Sequence, residues 1–537
     1  MKRFSLILAL LLCLTLCPVA ARAETYTFGD YTYTLLEDGT AKITNYSGKD
    51  SSLSIPSTFG SIRVTRIGRY AFFENTNLTS VAIPDSVTII GEGAFGRCEN
   101  LTSVNIPDSV TFIDNNAFFL CSSLISVTIP DSVTAIGNRA FAWCSLLTSV
   151  TIPDSVVSLG VNPFEYCTSL ATIHVSPEHP TLAVIDNVLF EKATRKLICY
   201  PMGKSQSSYA IPQGIRCIGE GAFCNCKNLN MLTIPDSVTT IGKLALSDCS
   251  SLTKITIPNS VISIGERAFA CCSSLTNMII PDSVTAIGDS AFSHCSGLTK
   301  ITIPDSVTTI NYHVFYECTG LTSVIIPDSV TYIGEVAFYG CSSLTSITIP
   351  DSVTTIDEMA FSECYHLTSI TIPDSVTSIG EGAFSGCAGL TAITIPDSVT
   401  ALGDWAFSRC SSLTSVTIPD SVANIGKAVF SSCSRLISIT IPDSVTSIGE
   451  DAFFMCANLT SIMIPDSVTS IGSWAFGGCP NLTSIMIPDS VTFIGENALA
   501  ECPHLTVFVD RDSYALQYCK ENGITYTYID SLDWLNN

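Results

Sequence analysis

Positive charge is scarce in this chain of 537 residues, which carries 25 lysines and arginines against 48 aspartates and glutamates and has a formal net charge of -23 at pH 7. Nucleic acids and anionic lipid surfaces attract proteins that present a positive footprint. The composition therefore argues against both as partners. A glycine-rich phosphate loop and a G-x-S-x-G nucleophile turn are also missing, and we predict that the chain is not an enzyme.

Metal-ligand spacings are equally absent among the six histidines. We expect these side chains to be solvated on the surface: His174, His179, His294, His313, His366 and His504. The aspartate of an Ile-Pro-Asp-Ser-Val motif forms a regular series instead, beginning with Asp85 and Asp108. That series could bind divalent cations, but one carboxylate per repeat supplies few of the oxygens that calcium takes. We expect each carboxylate to bond to its own turn and to face water, and we predict neither a metal nor another cofactor.

One apolar run is long enough to consider as a membrane segment, and it lies at the start of the chain. Lys2 and Arg3 precede it, residues 6–16 are almost wholly apolar, and Ala21-Arg22-Ala23 follows as a cleavage site. This order predicts a secretory signal peptide over residues 1–23, and the run is short for a bilayer span. Lipoprotein processing at Cys17 is a weaker alternative. We therefore expect an extracellular protein, secreted or held at the cell surface, with no integral membrane segment after cleavage.

A tract of 23 residues recurs along most of the remaining sequence. Cysteine marks its register, from Cys98 to Cys167 and again from Cys226 to Cys502, in steps of 23. A fixed period of this length indicates stacked supersecondary units, each of which buries its apolar face against the next. Catalysis needs a few unlike residues at one place, whereas a repeat supplies the same residues many times. The period therefore favours a solenoid with a binding or structural role.

The first half of the predicted coil is a strand and a corner, as residues 101–123 illustrate. Leu101, Val104 and Ile106 have the spacing of a strand that points these three side chains inward. Pro107 ends the strand because it cannot donate to a ladder. Ser109 follows in the turn, where its hydroxyl can bond to backbone groups.

The second half of the predicted coil returns to the next strand. Val110 and Ile113 predict a second short strand. A glycine usually follows this isoleucine, as at Gly91, and we expect it to meet a turn that needs positive φ. Ala117 and Phe118 then predict a single helical or 3₁₀ turn that delivers Cys121 to the core.

These residues resemble the BspA-type leucine-rich repeat family, whose unit runs L-x-x-I-x-I-P-x-S-V-x-x-I-G-x-x-A-F-x-x-C. The resemblance covers roughly residues 53–510. It implies a leucine-rich repeat solenoid, a right-handed superhelix of parallel strands with short helical or 3₁₀ turns. The family consists mainly of secreted or cell-surface proteins of host-associated bacteria and some protists. Several members resemble adhesins that bind host matrix proteins or other microbes, so the resemblance also implies a protein partner.

The 24 cysteines would normally indicate disulfides in an exported protein. In a stacked repeat, however, equivalent side chains point in parallel about 4.8 Å apart, whereas bonded cysteines have Cβ atoms about 3.8 Å apart that face each other. We therefore predict a column of reduced, buried thiols. A disulfide is more favoured among the cysteines outside that column: Cys199, Cys217, Cys224, Cys271 and Cys519.

The array is capped at both ends and interrupted once. Residues 24–52 alternate in the manner of strands and predict a β-hairpin cap, and repeats follow over residues 53–170. Residues 171–226 form one long irregular repeat with an inserted β-hairpin, which is either a tolerated insertion or a recognition feature. Repeats resume over residues 227–510. Residues 511–537 predict a C-terminal cap made of a helix and a strand.

The outward positions of the first strand are the best candidates for partner binding, because the inward positions belong to the core. Most coils place a serine and then a threonine there. The candidates of this kind are Ser126, Thr128, Ser149, Thr151, Ser346, Thr348, Ser369, Thr371, Ser415, Thr417, Ser438 and Thr440.

Departures from the serine and threonine pattern occur in two groups. The first contains Lys254, Asn277, Ile279 and Lys300. The second is an apolar strip near the C-terminal end, at Met463, Met486, Val507 and Val509. This strip is either a docking patch or a surface covered by the C-terminal cap.

We predict a non-enzymatic extracellular scaffold that presents its repetitive strand face to a protein on a host or microbial surface. The alternative is a structural spacer that binds only through a terminus or through the hairpin of residues 171–226. An enzyme and a glycan or ice binder are weaker alternatives, since glycan sites usually present aromatic rings and few of these outward positions carry one.

Overall fold

Residues 24–529 are described by the computed structural model, and they form two compact units divided between Asn187 and Val188. Each unit is a parallel β-solenoid in which one coil takes 23 residues, so that Ser346 pairs with Ser369 and Ser263 with Ala286. The fold class and the period predicted from the sequence are confirmed. The predicted signal peptide lies outside the described residues.

The N-terminal unit begins with the strands Thr25–Phe28, Tyr31–Leu35 and Ala41–Tyr46, which pair antiparallel in chain order. Ala41–Tyr46 then pairs parallel with Ile62–Ile67, so the sheet continues into the first coils. The predicted hairpin cap is thus a three-stranded meander. The short strand Thr58–Phe59 folds back on Ile62–Ile67 and places the Phe59 ring against those of the meander.

Most regular coils have a first strand, which carries the outward candidate positions, and a second strand after the proline corner. In the N-terminal unit the first strands are Ser52–Ser54, Ser80–Ala82, Ser103–Asn105, Ser149–Ile152 and Thr172–Val175. The second strands are Ile62–Ile67, Ile89–Ile90, Phe112–Ile113, Ala135–Ile136 and Ser158–Leu159, and Leu182–Ile185 is the last strand before the division.

The C-terminal unit repeats this plan. Its first strands are Ser208–Ala210, Met231–Thr233, Lys254–Thr256, Asn277–Ile279, Lys300–Thr302, Ser323–Ile325, Ser346–Thr348, Ser369–Thr371, Ala392–Thr394, Ser415–Thr417, Ser461–Met463, Ser484–Ile487 and Thr506–Val509. Its second strands are Cys217–Ile218, Thr240–Ile241, Ser263–Ile264, Ala286–Ile287, Thr309–Ile310, Tyr332–Ile333, Thr355–Ile356, Ser378–Ile379, Ala401–Leu402, Asn424–Ile425, Ser447–Ile448, Ser470–Ile471 and Phe493–Ile494.

The predicted hairpin of the irregular repeat opens the C-terminal unit. Val188–Glu191 pairs antiparallel with Lys196–Cys199, which in turn pairs parallel with Cys217–Ile218. At the other end, the helix Tyr514–Asn522 begins at Ser513, whose side chain accepts a hydrogen bond from the Leu516 amide, and ends at Gly523, which has φ of 66°. The strand Tyr526–Tyr528 then pairs with Thr506–Val509 and closes the sheet.

Serine hydroxyls link successive coils at the corner. Ser352 Oγ donates to the carbonyl of Val330 at 2.6 Å, and Ser375 Oγ donates to the carbonyl of Val353 at the same distance. The motif serine does bond to the backbone, as predicted, but its acceptor belongs to the preceding coil rather than to its own turn. Because the bond crosses from one coil to the one before it, each corner is held by its neighbour as well as by its own turn.

A column of phenylalanines and a column of cysteines fill the interior beside the turn segment, which we define as the residues between a coil's second strand and its column cysteine. The rings of Phe361 and Phe384 stack 5.5 Å apart at 3°. Cys364 Sγ donates to the carbonyl of Phe338 at 3.3 Å, and burial raises the pKa of this thiol to about 12. The described column cysteines are thiols, as the sequence predicted.

The turn segment contains no helical or 3₁₀ turn, which corrects one detail of the predicted coil. Asn116 and Leu120 instead adopt the left-handed region, with φ of 54° and 57°. This conformation directs the amides of Asn116, Phe118 and Leu120 to carbonyls of the next coil, while the amide of Cys121 bonds locally to the Phe118 carbonyl. The amides of Ala117 and Phe119 also bond locally, each to the carbonyl three residues earlier. Local turns thus alternate with bonds between coils, and no continuous helical turn forms.

The prediction that the glycine after the second strand meets a need for positive φ is wrong. Gly91, Gly137 and Gly288 are not among the glycines with positive φ. A Cβ atom on Gly137 would instead lie 2.4 Å from the backbone nitrogen of Asn115 in the preceding coil. Glycine is favoured there because two backbones pass closely.

Candidate binding surface

The first strands of the C-terminal unit align their outward side chains into two rows. Ser346 pairs with Ser369 and Thr348 pairs with Thr371, and all four side chains are exposed. The residue between them, such as Ile347, is buried. Parallel pairing at a fixed register therefore produces a neutral hydroxyl surface on an acidic chain.

All the predicted serine and threonine candidates are exposed, but the strands do not include every one of them. Ser126, Thr128 and Ser438 lie outside the strands, and Thr440 makes only an isolated bridge to Thr417. The remaining candidates lie on paired strands, with Ser149 and Thr151 in the N-terminal unit and Ser346, Thr348, Ser369, Thr371, Ser415 and Thr417 in the C-terminal unit.

The first group of departures forms part of the same surface. Asn277 pairs directly with Lys300, and Ile279 pairs with Thr302. Lys254 occupies the equivalent position on the neighbouring first strand and is exposed like the other three. The side chain of Ile279 is 82% exposed, so an apolar group lies in the open beside two lysines.

The apolar strip near the C-terminal end contains Phe508 and not the predicted Val507 and Val509. Met463 pairs with Met486, and Met486 pairs with Phe508. Val507 and Val509 are fully buried. The first strand of the last coil pairs with the preceding one at an offset of 22 residues instead of 23, so that Ser484 pairs with Thr506. A one-residue shift moves every side chain to the other face.

A shallow cavity of about 680 Å³ borders the corrected strip and is lined by Ile439, Met463, Met486, Asp510 and Ile529 among others. Ile529 follows the closing strand of the C-terminal cap. The cap therefore reaches the edge of the strip, while Met463 stays 66% exposed.

Titratable groups provide no metal centre in the described chain. Within residues 24–529, no group of three or more His, Cys, Asp or Glu side chains is placed to hold a metal ion. The motif aspartates, such as Asp85 and Asp108, are exposed at the corners.

One histidine departs from the predicted solvated surface position. His179 is fully buried, its Nδ1 accepts hydrogen bonds from the amides of Thr181 and Leu182, and its Nε2 lies 3.2 Å from the Pro153 carbonyl. The ring thus satisfies backbone groups in the irregular repeat. The sequence signal was weak, because a lone histidine in a non-repeated segment has no register from which to deduce burial.

The turn segment holds candidates that the strand-centred prediction missed. The residue directly after the column phenylalanine forms its own row along the C-terminal unit. Tyr316 and Tyr339 stack in this row at 5.1 Å, four serines follow in successive coils, and Phe454 comes next. The signal was present in the sequence, at a single repeat position compared from coil to coil.

A family model for the BspA type leucine rich repeat region matches residues 65–195, 199–322, 309–437 and 424–532. No curated protein matches the sequence. Among solved structures, a leucine-rich repeat protein from Bacteroides ovatus is 24% identical, with 94% of this chain and 99% of that chain covered and a TM-score of 0.36.

Two further solved structures are similar. A leucine-rich repeat protein from Eubacterium ventriosum is 23% identical over 72% of this chain and 95% of that chain, with a TM-score of 0.46. A leucine rich cell surface protein from Faecalibacterium prausnitzii is 27% identical over 94% of this chain and 99% of that chain, with a TM-score of 0.28. Over the described residues, no helix is both long and apolar enough to cross a membrane. The matched repeats span most of the sequence, and the chain belongs to the BspA-type leucine-rich repeat family.

Proposed function

We propose that the protein is a non-enzymatic extracellular scaffold that binds a protein on a host or microbial surface through its first-strand face. The observation that carries the proposal is the register of the exposed hydroxyl rows, in which Ser346 and Thr348 pair with identical residues of the next coil. The predicted signal peptide and the family support an extracellular site of action.

The physical basis of binding is the repetition of weak contacts. Each coil presents the same pair of small polar side chains, which offer hydrogen bonds at little entropic cost. Contacts that are weak singly gain from being linked on one rigid surface. The face carries few charges, so the net charge of -23 lies mainly outside the proposed contact area.

The test uses the chain from residue 24 and a panel of purified extracellular-matrix proteins on biosensor surfaces. The variant Thr348→Arg/Thr371→Arg places two bulky cations on the face and is expected to weaken binding at least about tenfold, equivalent to about 1.4 kcal/mol. The matched control Thr354→Arg/Thr377→Arg adds the same charges at residues that are also exposed but lie outside the first strands, and it is expected to bind as the parent chain does.

Two results contradict the proposal. If both double variants bind as tightly as the parent, the first-strand face is not the contact, and a spacer that binds through a terminus or the hairpin takes its place. If no matrix protein or whole-cell surface retains the parent chain, the adhesion role is wrong.

A further inference from the structure

A groove runs along the turn segments of the C-terminal unit. In four successive coils the residue after the column phenylalanine is a serine: Ser362, Ser385, Ser408 and Ser431. The same position is Tyr339 in the coil before and Phe454 in the coil after. Small side chains between two aromatic ends leave an open cavity of about 540 Å³ that all six residues line.

The floor of this groove contains hydroxyl groups that the protein does not satisfy. Ser408 is 6% exposed and Ser431 is 9% exposed, yet neither hydroxyl makes a hydrogen bond within the described chain. Ser362 differs, because its hydroxyl donates to the Ser385 carbonyl at 3.1 Å. Neither oxygen is among the fully buried side-chain atoms of the described residues that lack a partner. Both hydroxyls therefore reach the cavity that their residues line, where a ligand can bond to them.

The walls of the groove are apolar and aromatic. Trp405 is 36% exposed on one side, and Met359 and Met455 also line the groove. Phe454 at the far end is held in an edge contact with Trp474 at 5.7 Å. Aromatic rings beside accessible hydroxyls suit a ligand that has both an apolar face and polar groups at its edge.

Charged side chains at the groove define the ligand further. Glu363, Glu381 and Asp451 line it together with Arg409, and the Lys427 ammonium lies 5.7 Å from the centre of the Trp405 ring. Partial burial raises the pKa of the Asp451 carboxyl, and nearby Glu450 acts in the same direction. An excess of carboxylates disfavours an anionic ligand, while carboxylates and a guanidinium can both bond to neutral hydroxyl groups.

The spacing of the floor separates two classes of linear ligand. The phenylalanines directly before the serines stack at 5.5, 5.5 and 5.7 Å, and one serine accompanies each of these rings, so the floor repeats once per coil. An extended peptide repeats its side chains on one face every two residues, roughly 6.6–6.8 Å. The side chains of a bound peptide would therefore fall out of step with the coils after a few repeats. The length of one pyranose unit in a linear oligosaccharide is close to the spacing of successive coils.

We propose that this groove binds a linear, non-acidic oligosaccharide, with successive sugar rings on successive coils. Trp405 stacks on the face of one ring, the hydroxyls of Ser408 and Ser431 bond to ring substituents, and the carboxylates and Arg409 bond to hydroxyls at the rim. The site lies outside the first-strand face, so it is independent of the proposed protein-binding function.

The experiment measures binding of the chain from residue 24 to linear hexasaccharides of glucose, N-acetylglucosamine, mannose and galactose by titration calorimetry. The variant Ser408→Tyr fills the groove with a residue that the same position carries naturally at Tyr316 and Tyr339, which keeps the coil foldable. We expect at least one hexasaccharide to bind the parent chain and the affinity to fall at least about tenfold in Ser408→Tyr and in Trp405→Ala.

Matched controls test whether the groove itself is responsible. Ser293→Tyr makes the same change in this row but outside the groove, and Trp143→Ala removes an exposed tryptophan of the other unit. Both are expected to bind as the parent does, with circular dichroism verifying folding of every variant. The proposal is overturned if no hexasaccharide binds, if Ser293→Tyr weakens binding as much as Ser408→Tyr, or if a lysine-rich peptide binds the groove more tightly than every sugar.

Discussion

Removal of one ring from the phenylalanine column tests how the solenoid is held together. Phe361 is fully buried and stacks on Phe338 at 5.2 Å and on Phe384 at 5.5 Å. Replacing a buried phenylalanine by alanine costs about 3–5 kcal/mol. We place Phe361→Ala toward the upper end of that range because two stacked contacts are lost together.

The loss is expected to be local, because each coil contacts only its neighbours. A single free energy of unfolding for the whole chain is therefore a poor measure, and amide hydrogen exchange followed by mass spectrometry is a better one. A loss of about 3–5 kcal/mol corresponds to exchange faster by about two to four orders of magnitude wherever local opening limits it. The effect should be strongest in peptides from residues 338–384.

The control Phe493→Ala removes a ring of the same unit that is 54% exposed and should accelerate exchange by less than about tenfold. Equal acceleration in the two variants would refute the idea that the buried column supplies the stability. So would a Phe361→Ala effect spread evenly over all coils, since that would mean long-range cooperativity rather than contacts between neighbours.

Three further predictions address the other interior contacts. Burial raises the pKa of Cys364 from 9.0 to about 12, so the unfolded segment loses this proton first and the thiol lowers local stability by about 1.4 kcal/mol per pH unit above pH 9. The difference between the parent and Cys364→Ala in limited proteolysis around residues 338–384 should therefore shrink between pH 9 and pH 12, and a constant difference would contradict this. Ser352→Ala should cost about 1 kcal/mol by removing the bond to the Val330 carbonyl, measured as local exchange, and an unchanged exchange rate there would show that the bond contributes nothing. Val509→Ser should destabilise the last coil by about 1–3 kcal/mol, and Phe508→Ser should destabilise it by much less. Limited proteolysis measures both effects, and the reverse order would show that the strand has the unshifted register instead.

The sequence predicted the coil well where one interaction determines one residue type. Leucine, isoleucine and proline positions of the first strand were assigned correctly because burial and loss of an amide donor restrict those places. The corner serine was correctly expected to bond to the backbone, although its acceptor lies in the preceding coil, as the bond from Ser352 to the Val330 carbonyl shows. These features depend on near neighbours at a known offset.

The turn segment was harder to predict because its backbone depends on the next coil. Asn116 and Leu120 have no intrinsic need for positive φ, and they adopt it so that amides reach carbonyls one coil away. The glycine error has the same origin. Asp114, Asn311 and Asp357 replace that glycine in three coils, and none of the three has positive φ. Aspartate and asparagine also tolerate positive φ better than most residues, so the sequence alone did not reveal the error.

The candidate site residues occupy repeat positions that the fold does not restrict, and this has a physical reason. Bonds and packing between coils restrict the strand interior, the corner serine and the column residues to nearly the same identity in every repeat. Outward strand positions and the residue after the column phenylalanine meet no such restriction, so differences there are free to serve recognition.

The first-strand face keeps its serine and threonine pairs over many coils, which suits a long protein contact. The residue after the column phenylalanine is Tyr339 in one coil, serine in the next four and Phe454 in the coil after them. A short run of small residues between two aromatic ones is what a ligand of limited length requires. If the two proposals hold, the two surfaces serve two kinds of partner. The Thr348→Arg/Thr371→Arg and Ser408→Tyr variants should then each weaken one kind of binding at least about tenfold and leave the other unchanged.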